Sequence, residues 1–213
     1  MLTVHHLGMS QSERIVWLCE ELGVPYDLKV YDRDAVTRLA PPEYKALHPL
    51  GAAPVIQDGD VLLAESGAIV EYIVARYGKG QLVLAPDHPD FAHFLYWFHF
   101  ANGTLQPATG RNMILGRLDL PLDNPLIKAM KARLDLAIGH VEARLAQSAH
   151  LAGDELTTAD IMAVFTLTTM RNFLPFDLAP YPAIRAYLQR IAARPAYRRA
   201  MQKGDPGMPL LLT

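Results

Sequence analysis

The stretch of sequence that decides the fold is GAAPVIQDGDVLLAESGAIVEY, residues 51–72. Two apolar runs flank an Asp-Gly dipeptide at 58–59, which favours a two-residue hairpin turn. Pro54 has no amide hydrogen and is therefore tolerated at the first position of a strand but not at its centre. Glu65 and Ser66 then open a helical pattern, where unsatisfied backbone amides favour an anion. A carboxylate beside a helix start suits the zwitterionic head of an amino acid or a small peptide.

The residues around this stretch complete an alternation of strands and helices. Residues 2–6 and 26–31 have the composition of strands, and residues 10–23 carry apolar side chains at helical spacing. A short helix over 41–47 and a longer one over 66–77 give the order β-α-β-α-β-β-α. A parallel βαβ unit comes first and an antiparallel hairpin last, so the sequence predicts a thioredoxin-like α/β domain.

The remainder of the chain reads as helices. Residues 81–89 lack periodicity and are rich in helix breakers, so we place a linker there, between a domain at 1–80 and an all-α helical-bundle domain at 90–213. Aromatic residues crowd 90–110, and 125–146 form a long amphipathic pattern. Further helices are predicted from a capping box at Thr157 and Asp160, over 181–194 and over 196–203.

The composition of the 213-residue chain is that of a folded protein: 51% of its residues are hydrophobic and its mean hydropathy is +0.09. Its first residues have no basic segment followed by an apolar one, so we expect no signal peptide. No apolar run approaches the ~20 residues of a membrane-spanning helix, so no membrane partner is expected. One cysteine, Cys19, fits a reducing cytoplasm, where we expect the protein. A formal net charge of −2 gives no reason to expect a nucleic-acid partner.

Residues 10–26, SQSERIVWLCEELGVPY, resemble the serine-type cytosolic glutathione transferases of the bacterial and fungal group. Pro54, the Glu-Ser pair at 65–66 and the capping box at 157–160 stand at the spacing of that family. The resemblance extends over the whole chain. It implies a thioredoxin-like glutathione-binding domain, a helical domain and a homodimeric detoxification enzyme. Glutathione would be the co-substrate, and its thiolate would attack a hydrophobic electrophile.

The resemblance also assigns roles to individual residues. Ser10, just after the first strand, is implied to activate the glutathione sulfur, with Ser12 as the second choice. A cis peptide bond before Pro54 is implied to present the backbone of Ala53 to the peptide ligand. The full set of glutathione-binding residues implied in this way is Ser10, Ala53, Pro54, Glu65 and Ser66.

The residues themselves leave a second interpretation of Ser10 open. Ser10 and Glu13 have the spacing of a capping box, which would begin the first helix without any ligand. One hydroxyl can also serve both roles, because a donor at a helix start stabilises a thiolate. Dithiol exchange is excluded, since it would need Cys-x-x-Cys where this chain has Ser10 and Glu13.

Two positions depart from the family pattern. The family often has a lysine where this chain has Ala52, and that lysine holds the glycine carboxylate of glutathione. Arg38 and Lys45, in the preceding segment, are candidates to replace it. An acid usually stands where this chain has Asn102, and it is implied to approach the glutathione of the neighbouring subunit. These departures leave open an alternative function, a non-catalytic binding or interaction protein on the same fold.

The hydrophobic electrophile is expected between the first domain and the early helices of the second. Candidate residues for its site are Tyr96, His99, Phe100, Arg111, Met113 and Phe165. Each of them has a packing role as its alternative. The run at 94–100 is too aromatic for one buried stripe, which predicts a homodimer. The histidines at 88, 93 and 99 lack the i, i+4 spacing of a metal-binding pair, so we expect no metal.

Overall fold

Residues 1–118, 121 and 123–213 are described by a computed structural model, and they divide into two units. The first unit contains Met1–Leu82 and Ala192–Leu210, and the second contains Val83–Ile191 and Leu211–Thr213. The predicted segments 1–80, 81–89 and 90–213 follow chain order. The packing differs from that order at residues 192–210, which group with the first unit.

The bounds of the regular elements are as follows. The strands are β1 (Leu2–Leu7), β2 (Asp27–Tyr31), β3 (Val55–Asp58) and β4 (Val61–Ala64). The helices along the described chain are α1 (Glu13–Leu22), α2 (Pro42–Lys45), α3 (Ser66–Tyr77), α4 (Phe91–Phe100), α5 (Gln106–Leu115), α6 (Pro125–Leu145), α7 (Thr158–Leu167), α8 (Pro182–Ala193) and α9 (Pro195–Gly204). A π-helical segment, Ala101–Leu105, joins α4 to α5, and a 3₁₀ segment, Thr169–Asn172, follows α7.

The described strands form one mixed sheet in the order β2-β1-β3-β4. β1 pairs with β2 in parallel and with β3 antiparallel, and β3 and β4 form the predicted hairpin. Asp58 pairs with Val61, so the two loop residues are Gly59 and Asp60, one position later than the predicted Asp-Gly turn. Gly59 takes the first loop position with a φ of 60°, which suits glycine. The thioredoxin-like fold class is confirmed.

α1 begins three residues later than the sequence predicts. Residues 8–12 form a turn, and the amides of Glu13 and Arg14 bind the carbonyl oxygens of Ser10 (3.1 Å) and Gln11 (3.3 Å), so the chain tightens before the helix starts. The helix ends as predicted, at Gly23 with a φ of 62°. The turn between β1 and α1 is consequently a distinct element that presents its own side chains.

α9 belongs to the first unit because its basic face binds the acidic end of α1. Glu20 accepts hydrogen bonds from Lys203 (2.5 Å) and Arg199 (2.9 Å), and Glu21 is held by Arg194 through two bonds of 2.7 and 2.8 Å. Arg194, Arg199 and Lys203 therefore attach the last helix to the sheet domain. This long-range pairing had no local signal in the sequence.

The second unit contains α4 to α8. The range 90–110, where the sequence has its aromatic run, contains α4 and the start of α5, joined by the π-helical segment, which adds a residue to one turn. The capping box of Thr157 and Asp160 is confirmed at the start of α7, and every residue of α7 is buried. Among the described residues, no helix has both the length and the apolar character needed to cross a bilayer.

Candidate functional site

Side-chain hydrogen bonds join the three segments that the sequence assigns to one site. Nε2 of Gln11 donates to the carbonyl oxygen of Ala53 (2.8 Å). Nη1 of Arg14 donates to Oε1 of Gln11 (3.0 Å) and to Oγ of Ser66 (3.2 Å). Gln11 lies just before α1, Arg14 in its first turn, Ala53 before β3 and Ser66 at the start of α3. The turn after β1, the loop before β3 and the start of α3 therefore converge.

The loop before β3 has the geometry that the resemblance implied. The peptide bond between Ala53 and Pro54 is cis, and Pro54 is buried. Ala53 packs against a small buried cluster of Leu7, Tyr44 and Val55. The cluster includes the last residue of β1, so the loop and the turn after β1 are held by the same core. The carbonyl oxygen of Ala53 already accepts one bond, from Gln11, and a carbonyl has two lone pairs.

Glu65 has the strained backbone expected of a functional position. Its φ is 70° and its ψ is 114°, a conformation that side chains rarely adopt. Its own side chain is exposed, while Ser66 is 2% exposed and accepts the bond from Arg14. The strain places a free carboxylate at the amino end of α3, next to a buried hydroxyl that is already oriented.

Ser10 and Ser12 form a buried hydroxyl pair in the turn after β1. Their Oγ atoms are 2.7 Å apart, and the side chains are 5% and 0% exposed. Ser10 Oγ also accepts a bond from the amide of Ser12 (3.2 Å), and Ser12 Oγ accepts one from the amide of Leu7 (3.1 Å). The structure therefore brings both candidate sulfur activators together at the entrance to α1.

The capping-box interpretation of Ser10 is corrected by this geometry. The helix begins at Glu13, so Ser12 and not Ser10 occupies the residue before it. The hydroxyl of Ser10 binds the amide of Ser12 and so supports the turn itself. Ser10 therefore has a local structural role whether or not a ligand is bound, but the role differs from the one predicted.

Sequence reasoning missed four residues that organise this site, namely His6, Gln11, Arg14 and Asp205. Arg14 is 1% exposed, and burial lowers its pKa to about 9 despite the neighbouring charge of Glu13. A buried arginine at a helix start was visible in the sequence only as part of the motif at 10–26. Asp205 contacts His6 across 199 positions of the chain, a pairing that no local pattern indicates.

The comparisons with known proteins agree with this geometry. A family model described as "Glutathione S-transferase, N-terminal domain" matches residues 1–75, and one described as "Glutathione S-transferase, C-terminal domain" matches residues 117–195. Glutathione S-transferase 3 of Schizosaccharomyces pombe is 33% identical over 219 residues, which cover 95% of this chain and 88% of that protein. The chain belongs to the glutathione S-transferase family.

Solved structures of glutathione S-transferases share the fold. A crystal structure of one from Actinobacillus pleuropneumoniae has a TM-score of 0.88 at 37% identity, covering 96% of this chain and 93% of its own. The glutathione transferase URE2P8 from Phanerochaete chrysosporium, solved with oxidised glutathione, has a TM-score of 0.76 at 24% identity, covering 95% and 94%. The assignment of this chain to the serine-type group within the family stays a prediction.

The two cations proposed to replace the family's lysine both lie beside the converging segments. The side chain of Lys45 runs against Gly51, where an added methyl group would stand 3.3 Å from its Cγ. Nη2 of Arg38 lies 3.7 Å from Sδ of Met9, in the turn that carries Ser10. Ala52 itself is exposed.

Four of the six residues predicted for the second substrate of this glutathione S-transferase lie together. Tyr96, Phe100 and Arg111 line a pocket of about 350 Å³ in the second unit, and His99 lines one of about 400 Å³ that shares Tyr96 and Phe100. The other two residues, Met113 and Phe165, lie outside these linings within the described part of the chain. Phe165 is 6% exposed on the buried helix α7.

Asn102 lies in the π-helical segment between α4 and α5 and is half-buried. Single π-helical turns are rare and frequent at functional sites, because they re-aim side chains within a helix. The segment stands at the position where the family usually carries an acid. A role for Asn102 toward glutathione stays a prediction.

Proposed function

We propose that this glutathione S-transferase binds reduced glutathione at the convergence of residues 10–14, 51–54 and 65–66. In this proposal the hydroxyl of Ser10 stabilises the glutathione thiolate, which attacks a hydrophobic electrophile. The observation that carries it is the set of hydrogen bonds from Ala53 through Gln11 and Arg14 to Ser66. These bonds hold the loop before β3 and the start of α3 against the turn that carries Ser10, which supports one site formed by the three segments.

The chemistry requires a lowered thiol pKa. A free thiol has a pKa of roughly 8.5, so about 3% of it is ionised at pH 7. A lowering of about 2 units raises the thiolate share to about three quarters and corresponds to ~2.7 kcal/mol of differential stabilisation. A hydroxyl donor supplies part of this stabilisation, and the backbone dipoles at the amino end of α1 supply another part.

The polar ends of glutathione find matching groups in the same unit. The exposed carboxylate of Glu65 would hold the ammonium group, and Ser66 with the first amides of α3 would hold the adjoining carboxylate. The backbone of Ala53 would pair with the peptide as an added strand does. Lys45 and Arg38 would hold the glycine carboxylate in place of the lysine that Ala52 lacks.

The pocket formed by Tyr96, Phe100 and Arg111 is the proposed wall of the electrophile site. Its lining combines aromatic faces with a cation, a combination that accommodates an aromatic electrophile carrying electron-withdrawing groups. An Arg111→Ala variant is expected to raise the KM for an aryl halide several-fold and to leave the KM for glutathione unchanged. A matched Arg117→Ala variant, at an exposed position outside the pocket lining, should change neither.

We propose further that the protein is a cytoplasmic homodimer. Four aromatic residues of α4 are buried within the chain, so less of the aromatic run is exposed than its composition indicated. Leu126 on α6 (54% exposed) remains as apolar surface for a second copy, and Leu95 (42%) and Leu136 (73%) add to it at the edge of the pockets assigned to the electrophile. Sedimentation velocity should give about twice the mass of one 23.6-kDa chain at micromolar concentration, and a mass near that of one chain would contradict the homodimer.

Two measurements test the proposed function together. Purified protein is passed over immobilised glutathione, and conjugation of reduced glutathione to an aryl halide is then followed by absorbance. Retention with turnover supports the proposal. Retention without turnover for any of a panel of electrophiles supports the non-catalytic alternative, and the absence of both contradicts the site.

A further inference from the structure

A buried chain of side-chain hydrogen bonds runs from Ser10 to Asp205. Ser10 Oγ lies 2.7 Å from Ser12 Oγ, which lies 3.0 Å from Nδ1 of His6. Nε2 of His6 lies 3.1 Å from Oδ2 of Asp205. The His6 side chain is 0% exposed, and all four residues belong to the first unit. A hydroxyl, an imidazole and a carboxylate in this order form the arrangement that withdraws a proton in hydrolytic triads.

The fold fixes the positions of His6 and Asp205 in this series of hydrogen bonds. His6 stands in β1, one residue from its end, and Asp205 follows the last residue of α9. Oδ1 of Asp205 accepts a bond from the amide of Met9 (2.8 Å), which leaves Oδ2 directed at the imidazole. A Cβ on Gly204 would stand 3.0 Å from Nε2 of His6, so glycine is needed there for α9 to come this close.

The hydroxyl of Ser12 has two acceptors in reach, Nδ1 of His6 at 3.0 Å and the carbonyl oxygen of Leu7 at 3.4 Å. The shorter contact, to His6, allows two patterns of donors and acceptors. The carboxylate of Asp205 only accepts, so Nε2 of His6 carries a proton and donates. If the imidazole is neutral, Nδ1 accepts from Ser12 Oγ, and Ser12 in turn accepts from Ser10. The hydroxyl proton of Ser10 is then committed to the interior. If the imidazole is protonated, Nδ1 donates to Ser12 Oγ and Ser12 donates to Ser10, while Nε2 still donates to Asp205, and the hydroxyl proton of Ser10 becomes available to a ligand.

We infer that His6 is the acceptor for the proton that the glutathione thiol loses on binding, reached through Ser10 and Ser12. The inference rests on the proposed function. The thiol proton moves to Ser10 Oγ, the proton of Ser10 moves to Ser12 Oγ, and the proton of Ser12 moves to Nδ1 of His6. One S–H bond and two O–H bonds break, and two O–H bonds and one N–H bond form. The products are a thiolate, two neutral hydroxyls and an imidazolium beside Asp205.

The surrounding charges favour this end state. Asp205 supplies the negative charge that stabilises the imidazolium. Arg33, which follows β2, donates to the carbonyl oxygens of Gly8 (2.7 Å) and Met9 (3.2 Å) and interacts electrostatically with Asp205. Its guanidinium stays charged throughout the working range and so fixes the turn without titrating. His6 and Asp205 touch no substrate in this account and act as positioning residues for Ser10.

We call the path from Ser10 through Ser12 to His6 the relay. It predicts how many protons are released to the buffer per thiolate formed, which a purely structural role of these residues does not. If the thiol proton stays inside the protein, thiolate formation releases almost none to the buffer. Titration of the wild type with reduced glutathione at pH 7.5, in two buffers of different ionisation enthalpy, measures the protons released, and ultraviolet absorbance measures the thiolate formed. We expect fewer than about 0.3 protons per thiolate in the wild type. The His6→Asn variant keeps an acceptor for Ser12 but takes up no proton, so we expect it to release about one proton per thiolate.

Two further variants make the test decisive. His5→Asn is the matched control, because His5 is equally buried (2% exposed) and bonded to Tyr31 (2.9 Å) but lies outside the relay; it should keep the wild-type ratio. Asp205→Asn retains an acceptor for Met9 and covers the case in which His6→Asn does not fold. It should raise the bound thiol pKa by about 1 unit and lower kcat about tenfold, with the glutathione KM unchanged.

The outcomes separate this inference from the proposed function. A wild-type ratio near one, or an Asp205→Asn thiol that titrates like the wild type, overturns the relay and leaves activation by Ser10 standing. Glutathione that binds the wild type without forming thiolate overturns both. A low wild-type ratio that rises to about one in His6→Asn and stays low in His5→Asn supports the relay.

Discussion

Nη1 of Arg14 donates a 3.2 Å hydrogen bond to Oγ of Ser66, and so ties the first turn of α1 to the first residue of α3. The two residues are separated by 52 positions in the chain, and both are almost completely buried. The same nitrogen reaches Gln11, which holds the carbonyl oxygen of Ala53. Arg14 is therefore the centre of the candidate glutathione site, although it need not touch the ligand.

The first prediction concerns Arg14→Lys. The variant keeps a positive charge, but lysine is shorter and lacks the fixed planar guanidinium, so its ammonium group does not reach the position from which Nη1 bonds both Gln11 and Ser66. We expect the glutathione affinity to fall about tenfold and the free energy of unfolding to fall by ~1–3 kcal/mol, the cost of leaving buried polar groups unpaired. Calorimetry measures the glutathione affinity, and urea unfolding measures the free energy of unfolding. Arg76→Lys, at a largely exposed arginine of α3, is the control and should change neither by more than ~0.5 kcal/mol.

The second prediction separates strain from binding at Glu65. Both Glu65→Gly and Glu65→Ala remove the carboxylate, so both should weaken glutathione binding about tenfold or more. Only glycine relieves the φ of 70°, so the glycine variant should be more stable than the alanine variant by ~1 kcal/mol. Chemical denaturation of the pair checks the order. Equal affinity to the wild type in both variants would show that the ammonium group is held elsewhere.

The third prediction concerns the acid limit of stability. Burial by itself raises the pKa of Glu20. Hydrogen bonds from Lys203, Arg199 and Tyr26 together lower it by more, so the net pKa lies below the ordinary 4.5. A carboxylate whose folded pKa is lowered adds stability above its unfolded pKa and loses it as the pH falls through the folded value. The attachment of α9 should therefore weaken below about pH 4.5.

Glu20→Gln tests this assignment. At pH 7 the variant should be less stable than the wild type by ~1–2 kcal/mol, because charge-assisted bonds to α9 are lost. At pH 3 the difference should be smaller than at pH 7, because the stability that a carboxylate with a lowered folded pKa contributes decreases as the pH falls below its unfolded pKa. Urea unfolding at the two pH values measures it. Glu71→Gln, at an exposed residue of α3, is the control; if it matched Glu20→Gln, a general charge effect would explain the result.

The fourth prediction concerns the glycine carboxylate of glutathione. If Lys45 compensates for Ala52, Lys45→Ala should weaken glutathione about tenfold, the loss of one charge-assisted bond. Ala52→Lys, at an exposed position, should restore the affinity in the Lys45→Ala background and add less in the wild type. Such non-additivity is the signature of two residues that serve one group. Additive effects would mean that Lys45 acts elsewhere, and Arg38→Ala would then be the variant to measure.

Much of the fold followed from local sequence patterns. The hairpin and the capping box of α7 each depend on a few adjacent residues, so propensity and spacing were sufficient. The cis bond before Pro54 was implied by the family resemblance, since an X-Pro bond is more often trans. The start of α1 was predicted three residues early because the turn bonds at Ser10 imitate a cap. The π-helical segment was not predicted; it directly follows the aromatic run, which ends at Phe100.

The residues of the candidate site also divide into those that a local sequence motif indicates and those that depend on long-range packing. Ser10, Pro54, Glu65 and Ser66 were identified because they stand in short motifs. His6 and Asp205 could not be found, because their contact depends on how α9 packs against the end of β1. That packing combines a buried apolar face, with Tyr197 against Trp17, and ion pairs to α1, and local sequence patterns do not reveal such long-range pairings.

The central claim is that the hydroxyl of Ser10 stabilises the glutathione thiolate. Ser10→Ala removes the only group of the relay proposed to touch the sulfur, and it also removes the acceptor for the Ser12 amide. We therefore expect a stability loss of ~0.5–2 kcal/mol together with a 10–100-fold lower turnover at neutral pH. Glutathione affinity should change less, because Ala53, Glu65 and Ser66 remain.

The most direct measurement is thiolate absorbance of the glutathione complex against pH, in wild type and in Ser10→Ala. The account predicts a wild-type bound thiol with a pKa well below about 8.5 and a Ser10→Ala thiol about 1–2 units higher. Ser12→Ala should also raise it, because the relay to His6 is interrupted. A folded Ser10→Ala variant whose bound thiol titrates as in the wild type would contradict the account.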